Sequence, residues 1–204
     1  MVYLLYGAGG HAKVVASCLL DANHTIRGIF DDDVSRHSWN HIPIVNPYSP
    51  SYCSHDELII SIGNNRIRKN ISSLISHRIG TIIHPSARVS SFAHVSEGSV
   101  VFHHSVIQAD SVLGKHTIVN TAAVIDHDCL LADFVHIAPN ATLCGGVSVG
   151  EGTLIGAGAT ILPGIQIGKW VTIGAGTVVT KNIPDFGVVV GNPGRLIKFN
   201  PFYE

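Results

Sequence analysis

The stretch VVFHHSVIQADSVLGKHTIVNTAAVI, residues 100–125, decides the fold, because an aliphatic residue recurs in it at every sixth position. The spacing continues without an insertion from residue 83 to residue 179. The series is Ile83, Val89, Val95, Val101, Ile107, Leu113, Val119, Ile125, Leu131, Ile137, Leu143, Val149, Ile155, Ile161, Ile167, Ile173 and Val179. An α-helix has a period of 3.6 residues and cannot keep one face at every sixth position for so long, whereas a solenoid of short strands can. The pattern therefore predicts stacked short strands and excludes a helical array.

The first 79 residues lack this repeat and predict a small Rossmann-like βαβαβ unit. Its predicted elements are a strand over 2–6, a glycine turn over 7–10, a helix from 11 to about 22, strands over 25–30 and 57–62, a turn over 63–65 and a helix from 66 to about 77. We therefore expect three segments: the unit over residues 1–79, the solenoid over 80–183 and a C-terminal tail over 184–204.

The glycine turn is the first candidate binding feature. Gly7, Gly9 and Ala12 match the G-x-G-x-x-A spacing of dinucleotide-binding turns. The unit is too small for a complete dinucleotide domain, so we expect no NAD. A glycine turn that leads into a helix N-terminus offers free backbone N–H groups to an anion such as a diphosphate. A purely structural turn is the alternative.

The amino-acid composition limits the partners and the cellular location that we expect for the protein. The net charge is −1 and no run of Lys or Arg occurs, which argues against nucleic acid and anionic membranes as partners. No apolar stretch approaches the length of a membrane helix, and the N-terminus starts with a strand-like sequence rather than a signal peptide, so we expect a cytoplasmic protein without membrane insertion. The four cysteines form no CxxC pair, and we expect reduced thiols, no disulfide and no metal.

Four motifs together carry a family resemblance. They are residues 6–13 (YGAGGHAK), residues 62–68 (IGNNRIR), Asn120, and residues 125–128 (IDHD). With the hexads, they resemble the bacterial sugar acetyltransferases that include the UDP-4-amino-sugar N-acetyltransferases of bacillosamine synthesis, perosamine N-acetyltransferases and sialic acid O-acetyltransferases. The resemblance covers essentially the whole chain.

This resemblance implies a left-handed parallel β-helix in which three hexads make one triangular coil. It also implies a homotrimer in which the N-terminal unit holds a nucleotide-linked amino sugar and acetyl-CoA lies in a groove between neighbouring subunits. His127 would be the general base, and Asp128, where the amino-sugar enzymes have Glu, would be its acidic neighbour. The residues implied to contact the sugar nucleotide are Gly9, Gly10, His11, Asp31, Asp32, Asn64 and Asn120. The residues implied to contact acetyl-CoA are His136, Gly145, Ala157 and Ala175.

The repeat supplies an independent geometric expectation. Residues eighteen apart should stack one coil above another at about 4.8 Å. His127 and Asp128 should therefore lie beneath Gly145 and Gly146, where the Gly145 N–H is placed to stabilise an oxyanion beside the base. We expect surface or stacking roles for other histidines, namely His84, His94, His103, His104 and His116. The outward residues of several strands are apolar and favour a trimer; they are Val100, Val106, Val112, Ile118, Val124 and Leu130.

The expected activity is thus acetyl-CoA-dependent N-acetylation of a nucleotide-linked 4-amino-4,6-dideoxy sugar. Two alternatives stay open: O-acetylation of a sugar hydroxyl, as in the sialic acid enzymes, and a non-catalytic scaffold that binds a nucleotide sugar. Direct transfer is expected, because Cys129 occupies an inward position of its hexad and is a poor candidate for an acyl carrier.

Overall fold

The computed structural model describes residues 1–200 and begins with a five-stranded sheet flanked by two helices. Its elements are β1 Val2–Tyr6, α1 Gly10–Asp21, β2 Thr25–Phe30, β3 Ser38–Trp39, β4 Ile42–Val45, β5 Glu57–Ile60 and α2 Asn65–Ser72. The strand order is β3-β4-β2-β1-β5, and all neighbours pair in parallel except β3 with β4. No helix described within residues 1–200 has the length and apolar character needed to cross a membrane.

Three details of this unit differ from the predicted elements. The hairpin β3–β4 occupies the second crossover, and it forms because Asn40 and His41 both adopt positive φ angles, 48° and 66°. Strand β5 ends at Ile60 rather than at residue 62. Helix α2 ends at Ser72 rather than near residue 77, where the Ser72 and Ser73 hydroxyls donate back to carbonyls three residues earlier and compete with further helix.

From residue 82 the chain forms a parallel β-helix of 17 two-residue strands, as the hexads predict. The strands are β6 Ile82–Ile83, β7 Arg88–Val89, β8 His94–Val95, β9 Val100–Val101, β10 Val106–Ile107, β11 Val112–Leu113, β12 Ile118–Val119, β13 Val124–Ile125, β14 Leu130–Leu131, β15 His136–Ile137, β16 Thr142–Leu143, β17 Ser148–Val149, β18 Leu154–Ile155, β19 Thr160–Ile161, β20 Gln166–Ile167, β21 Thr172–Ile173 and β22 Val178–Val179.

Every third strand joins the same sheet, which gives the β-helix three faces. The first face contains β6 and every third strand after it, the second begins with β7 and the third with β8. Strands pair with the strand eighteen residues later, as Val124 does with Thr142. The aliphatic hexad residues point inward, and from Val101 to Val179 they form one continuous buried core.

The N-terminal unit packs against the first face through a second buried cluster. Val15 and Leu19 of α1 share this cluster with Val100 and Ile118. The expectation that Val100 and Ile118 add apolar surface for a trimer is therefore wrong, because both are buried beneath the chain's own N-terminal unit. The apolar outward residues left exposed are on the third face, where Val112 is 42% and Leu130 55% exposed.

Beyond β22 the chain returns to the first face. Strand β23, Gly187–Val190, pairs in parallel with β21, and β24, Arg195–Phe199, pairs antiparallel with β23. The segment expected to be a tail thus contains a hairpin in its described part, residues 184–200. This hairpin adds two strands to the end of the first-face sheet, beyond β21.

Candidate active site

His127 lies at an exposed turn between the second and third faces, directly after β13. Its side chain is 62% exposed, and its Nδ1–H donates to Asp128 Oδ2 at 2.7 Å. Asp128 has a φ of 59°, a left-handed conformation that Asp tolerates better than most residues. That turn brings the carboxylate back to the ring of the preceding residue, so an aspartate reaches the imidazole.

The electrostatics of this turn favour proton uptake at His127. The hydrogen bond to Asp128 and, next, the negative charge of Asp126 raise the pKa of His127 above its usual 6.5. Because Nδ1 carries the proton shared with Asp128, Nε2 holds the lone pair. A histidine in this state can accept a proton from a substrate at Nε2.

Gly145 lies directly over this ring, as the eighteen-residue spacing predicts. The Gly146 N–H donates to the His127 carbonyl at 2.9 Å and links the two coils. A methyl group at Gly145 would lie 2.7 Å from His127 Nε2, so a side chain here would displace the imidazole. Within residues 1–200, no hydrogen bond is donated by the Gly145 N–H. His127, Asp128 and Gly145 are called the open corner below.

A second group of site residues lies where the N-terminal unit meets the first face. His136 Nδ1 is 3.3 Å from the Gly63 carbonyl, and its Nε2 is 3.2 Å from Asn120 Nδ2. The ring of His11 lies 6.1 Å from that of His136, between centroids. We call Asn120, His136 and His11 the covered corner.

The covered corner has the opposite electrostatics to the open corner. Burial, and next the positive charge of Arg68, lower the pKa of His11 to about 4 and that of His136 to about 3. Both rings are therefore neutral at physiological pH. A groove of about 660 Å³ opens beside them, and its walls include Gly63, Asn64, His136 and Trp170.

The glycine turn presents an open backbone at the start of α1. Gly9 is the N-cap residue without a side-chain cap, and a Cβ at Gly9 or Gly10 would meet no atom within 4 Å. Asp31 holds the turn, because its carboxylate accepts from the Ala8 N–H. Free N–H groups and space for a ligand thus coincide at this turn.

The acidic and amide residues near the turn have structural partners as well. Asp32 accepts a hydrogen bond from the Tyr6 hydroxyl at 2.8 Å. Asn64 caps α2 by accepting from the Ile67 N–H at 3.0 Å. Asp31 and Asp32 lie at the end of β2, beside the turn, whereas Asn64 lies at the start of α2 and lines the groove.

Ala157 and Ala175 stack at the turn between the first and second faces, as expected. The Gly176 N–H donates to the Ala157 carbonyl, which places the two turns on adjacent coils. Neither alanine N–H donates a hydrogen bond among the described residues. Nothing lies within 4 Å of a Cβ built on Gly158 or Gly176. The two amides are therefore available to an extended ligand with carbonyl acceptors.

The predicted site residues fall into two groups within the chain, the open corner and the covered corner. Asn120 precedes the turn between the first and second faces, and His127 lies at the next turn of the same coil. Thr121 and His127 are six positions apart, with β13 between them, so they lie at different turns of the coil. His127 also has no hydrogen bond or ion pair with the N-terminal unit among residues 1–200.

Comparisons with known proteins match both regions. The PglD N-terminal domain family matches residues 3–75, and the bacterial transferase hexapeptide family (six repeats) matches residues 146–181. The acetyltransferase domain of PglB from Neisseria gonorrhoeae FA1090 is 40% identical with a TM-score of 0.87, over 96% of this chain and 99% of that one. The chain belongs to the hexapeptide-repeat acyltransferases that carry a PglD N-terminal domain.

Other members of this family extend the comparison to ligand complexes. PerB from Caulobacter crescentus, solved with CoA and GDP-perosamine, is 35% identical with a TM-score of 0.92, over 97% of this chain and 98% of that one. The GDP-perosamine N-acetyltransferase of Escherichia coli O157:H7 is 32% identical over 113 residues, which span 54% of this chain. The chain matches only 49% of that relative's length, and 24% of the mimivirus protein L142.

Arg68 lies in the motif over residues 62–68, and the sequence alone predicts no role for it. In the structure it is a fully buried arginine at the junction of the two regions, 1% exposed. Its guanidinium donates to the carbonyls of His116 and Phe134 on the β-helix and of Ile62 and Gly63 beside the groove. The sequence carries no clear signal of this burial, because the positions three and four residues away on the helix are Asn64, Asn65, Ile71 and Ser72.

One group of side chains in residues 1–200 has the composition of a metal site. Asp21 Oδ2 lies 3.1 Å from His84 Nε2 and 3.2 Å from His103 Nε2, and the two rings stack at 3.7 Å. The Ser86 backbone N–H donates to His84 Nδ1. His84 Nε2 therefore carries the proton and donates it to Asp21, which favours a hydrogen-bonded link between α1 and the β-helix over metal ligation.

Proposed function

We propose that the protein transfers an acetyl group from acetyl-CoA to the amino group of a nucleotide-linked 4-amino-4,6-dideoxy sugar. The observation that carries the proposal is the open corner: a solvent-exposed His127, oriented by Asp128, beneath the free N–H of Gly145. The relatives solved with acetyl-CoA or with CoA and GDP-perosamine support the two substrate classes.

The open corner supplies the groups for a direct transfer. The substrate amine attacks the acetyl carbonyl carbon while His127 Nε2 accepts the proton that the nitrogen loses. The Gly145 N–H stabilises the oxyanion of the tetrahedral intermediate, and Asp128 stabilises the imidazolium. When the intermediate collapses, the C–S bond breaks and the imidazolium returns the proton to the sulfur of CoA. The products are the amide and free CoA.

The site is proposed to form between subunits of a homotrimer. Among residues 1–200, His127 has no hydrogen bond or ion pair with the N-terminal unit, so a sugar held at the glycine turn is proposed to receive its base from a neighbouring subunit. Ala157 and Ala175 would lie along the pantetheine arm of acetyl-CoA, in the groove between neighbouring subunits. The exposed Val112 and Leu130 lie on the third face, beside a hollow of about 820 Å³, and favour burial in an assembly.

The division of labour assigns the nucleotide sugar to the N-terminal unit. The N–H groups of Gly9 and Gly10 suit the diphosphate of the nucleotide sugar. The side chains of Asp31, Asp32 and Asn64 suit its polar groups, and those of His11, His136 and Asn120 suit the sugar. A bacillosamine-type UDP-sugar and GDP-perosamine are the leading candidates. A cytoplasmic location is part of the proposal, and the four free cysteines, Cys18, Cys53, Cys129 and Cys144, suit a reducing compartment.

The test is a screen of UDP-, GDP- and dTDP-linked 4-amino-6-deoxy sugars, with thiol release from acetyl-CoA as the readout. The expected result is rapid thiol release with one of these amino sugars and none with the matching 4-hydroxy sugar. Release with hydroxyl acceptors alone would establish the O-acetyltransferase alternative. Binding of a nucleotide sugar without thiol release would establish the scaffold.

A further inference from the structure

Arg68 uses all of its hydrogen-bonding capacity without a carboxylate partner. Its Nε donates to the His116 carbonyl at 3.0 Å, and Nη2 donates to the Phe134 carbonyl and to Asn65 Oδ1, both at 2.9 Å. The remaining nitrogen, Nη1, donates to the carbonyls of Ile62 at 3.1 Å and Gly63 at 3.3 Å. Five N–H groups thus meet five acceptors in a fixed fork.

The Gly63 carbonyl, which Arg68 holds in place, also lies next to His136 in the covered corner. A carbonyl oxygen can only accept, so His136 Nδ1, which lies 3.3 Å from it, must carry a proton. Burial and then the Arg68 charge hold the pKa of His136 at about 3, so the ring carries one proton only and Nε2 is an acceptor. The tautomer of His136 therefore follows from the position of one peptide group.

The protonation state of the His136 ring also fixes the orientation of the Asn120 side-chain amide. Its Nδ2 donates one proton to His136 Nε2, and its Oδ1 accepts from the Thr121 N–H at 2.8 Å. The amide cannot flip without losing both bonds. Its second Nδ2–H donates to no group within residues 1–200 and is left as a donor beside His136, which lines the groove.

We propose that Arg68 is a positioning residue: by holding the carbonyls of Ile62 and Gly63 it fixes the tautomer of His136 and, through it, the donor direction of Asn120 in the substrate site. The consequence for turnover rests on the proposed function; the tautomer does not. A purely structural role, in which Arg68 only fastens the N-terminal unit to the β-helix, is the competing explanation.

The first arm of the test measures the tautomer in the unsubstituted protein without substrate. Nitrogen-15 NMR of histidine-labelled protein at pH 7 distinguishes protonated from unprotonated ring nitrogens, and the His136 signals are assigned by their absence in His136→Gln. The proposal expects a protonated Nδ1 and an unprotonated Nε2. An Nε2–H tautomer, or signals averaged between the two forms, would overturn it.

The second arm compares Arg68→Lys with Lys69→Met. Lysine keeps a positive charge but cannot reach all five acceptors, whereas Lys69→Met removes an interdomain ion pair with Glu151 and leaves the Gly63 carbonyl clamped. Arg68→Lys should give averaged His136 signals and lower kcat by at least about tenfold, with little change in acetyl-CoA affinity. Lys69→Met should keep both the signals and kcat.

Either of two results would contradict the positioning role: unchanged His136 signals in Arg68→Lys, or an equal loss of kcat in Lys69→Met. If the unsubstituted protein acetylates no nucleotide-linked amino sugar, the proposed function fails. The NMR arm still decides the tautomer in that case, so the two failures are distinguishable.

Discussion

His127 and His136 lie on the same β-helix and have opposite surroundings. His127 projects from a turn, pairs with a carboxylate and has a raised pKa, whereas His136 is held under the N-terminal unit near a buried guanidinium and has a pKa of about 3. Under the proposed function, this difference separates proton transfer from substrate orientation within one fold. The first role needs a proton affinity near neutral pH, and the second needs a ring that never charges.

Removal of the exposed histidine should have the largest effect. His127→Ala should lower kcat by about two to four orders of magnitude, the usual loss for a general base, with acetyl-CoA affinity nearly unchanged. His55→Ala replaces another exposed histidine, distant from both corners, and serves as the control. Steady-state kinetics that show near-normal turnover in His127→Ala would refute the assignment of the base.

The buried histidines should make the free energy of unfolding depend on pH. His11, His116 and His136 have lowered pKa values, so the unfolded chain binds more protons than the folded one below pH 6.5. Stability is therefore lost as pH falls from 6.5 toward pH 4. Each histidine should lower the free energy of unfolding by about 2 kcal/mol between pH 6.5 and pH 5.

Urea denaturation at pH 7 and pH 5, at fixed protein concentration, measures this loss. His116→Gln, which removes a buried histidine outside both corners, should reduce the pH dependence. Equal stability at the two pH values would show that these rings are not held neutral.

A substitution at the glycine turn should separate sugar binding from cofactor binding. Gly9 has ordinary extended angles, φ −79° and ψ −168°, and a side chain there meets no protein atom, so Gly9→Val should fold normally. The valine should block a diphosphate from the helix N-terminus and raise KM for the nucleotide sugar at least about tenfold. Calorimetry should show unchanged acetyl-CoA binding; the reverse pattern would assign the N-terminal unit to the cofactor.

The smallest predicted change is in the pH profile of the open corner. A general base acts when unprotonated, so kcat/KM should rise with pH through the His127 pKa, which Asp128 raises above 6.5. Asp128→Asn removes that charge and should move this acidic limb to lower pH. Asp126→Asn, the second cause, should move it less. Superimposable profiles for all three proteins would exclude His127 as the titrating base.

Much of this arrangement could be predicted because it is periodic. The hexads place an inward aliphatic residue at every strand, and adding eighteen to His127 finds Gly145 on the next coil. The Asp128 contact required the positive φ of that turn, which no spacing reveals.

The remaining features depend on contacts between the two regions. Arg68 bonds to carbonyls 48 and 66 residues away, and backbone acceptors leave no trace in side-chain identity. Val100 and Ile118 follow the same pattern as exposed strand residues, and only the docked N-terminal unit buries them. The separation of the two corners likewise appears only once the turns are placed on the faces.

Whether one subunit's open corner serves another subunit's covered corner is tested most directly by mixing two proteins, one impaired in kcat and the other in binding of the nucleotide sugar. His127→Ala and Gly9→Val are co-expressed with different tags, and the mixed trimers are isolated by both tags. In a cyclic trimer one of the three interfaces then joins an intact open corner to an intact glycine turn. With the nucleotide sugar well below the KM of Gly9→Val, the mixed trimers should recover about one third of the wild-type kcat/KM. Mixed trimers no more active than their two parents would place each site within a single subunit and contradict the proposed site between subunits.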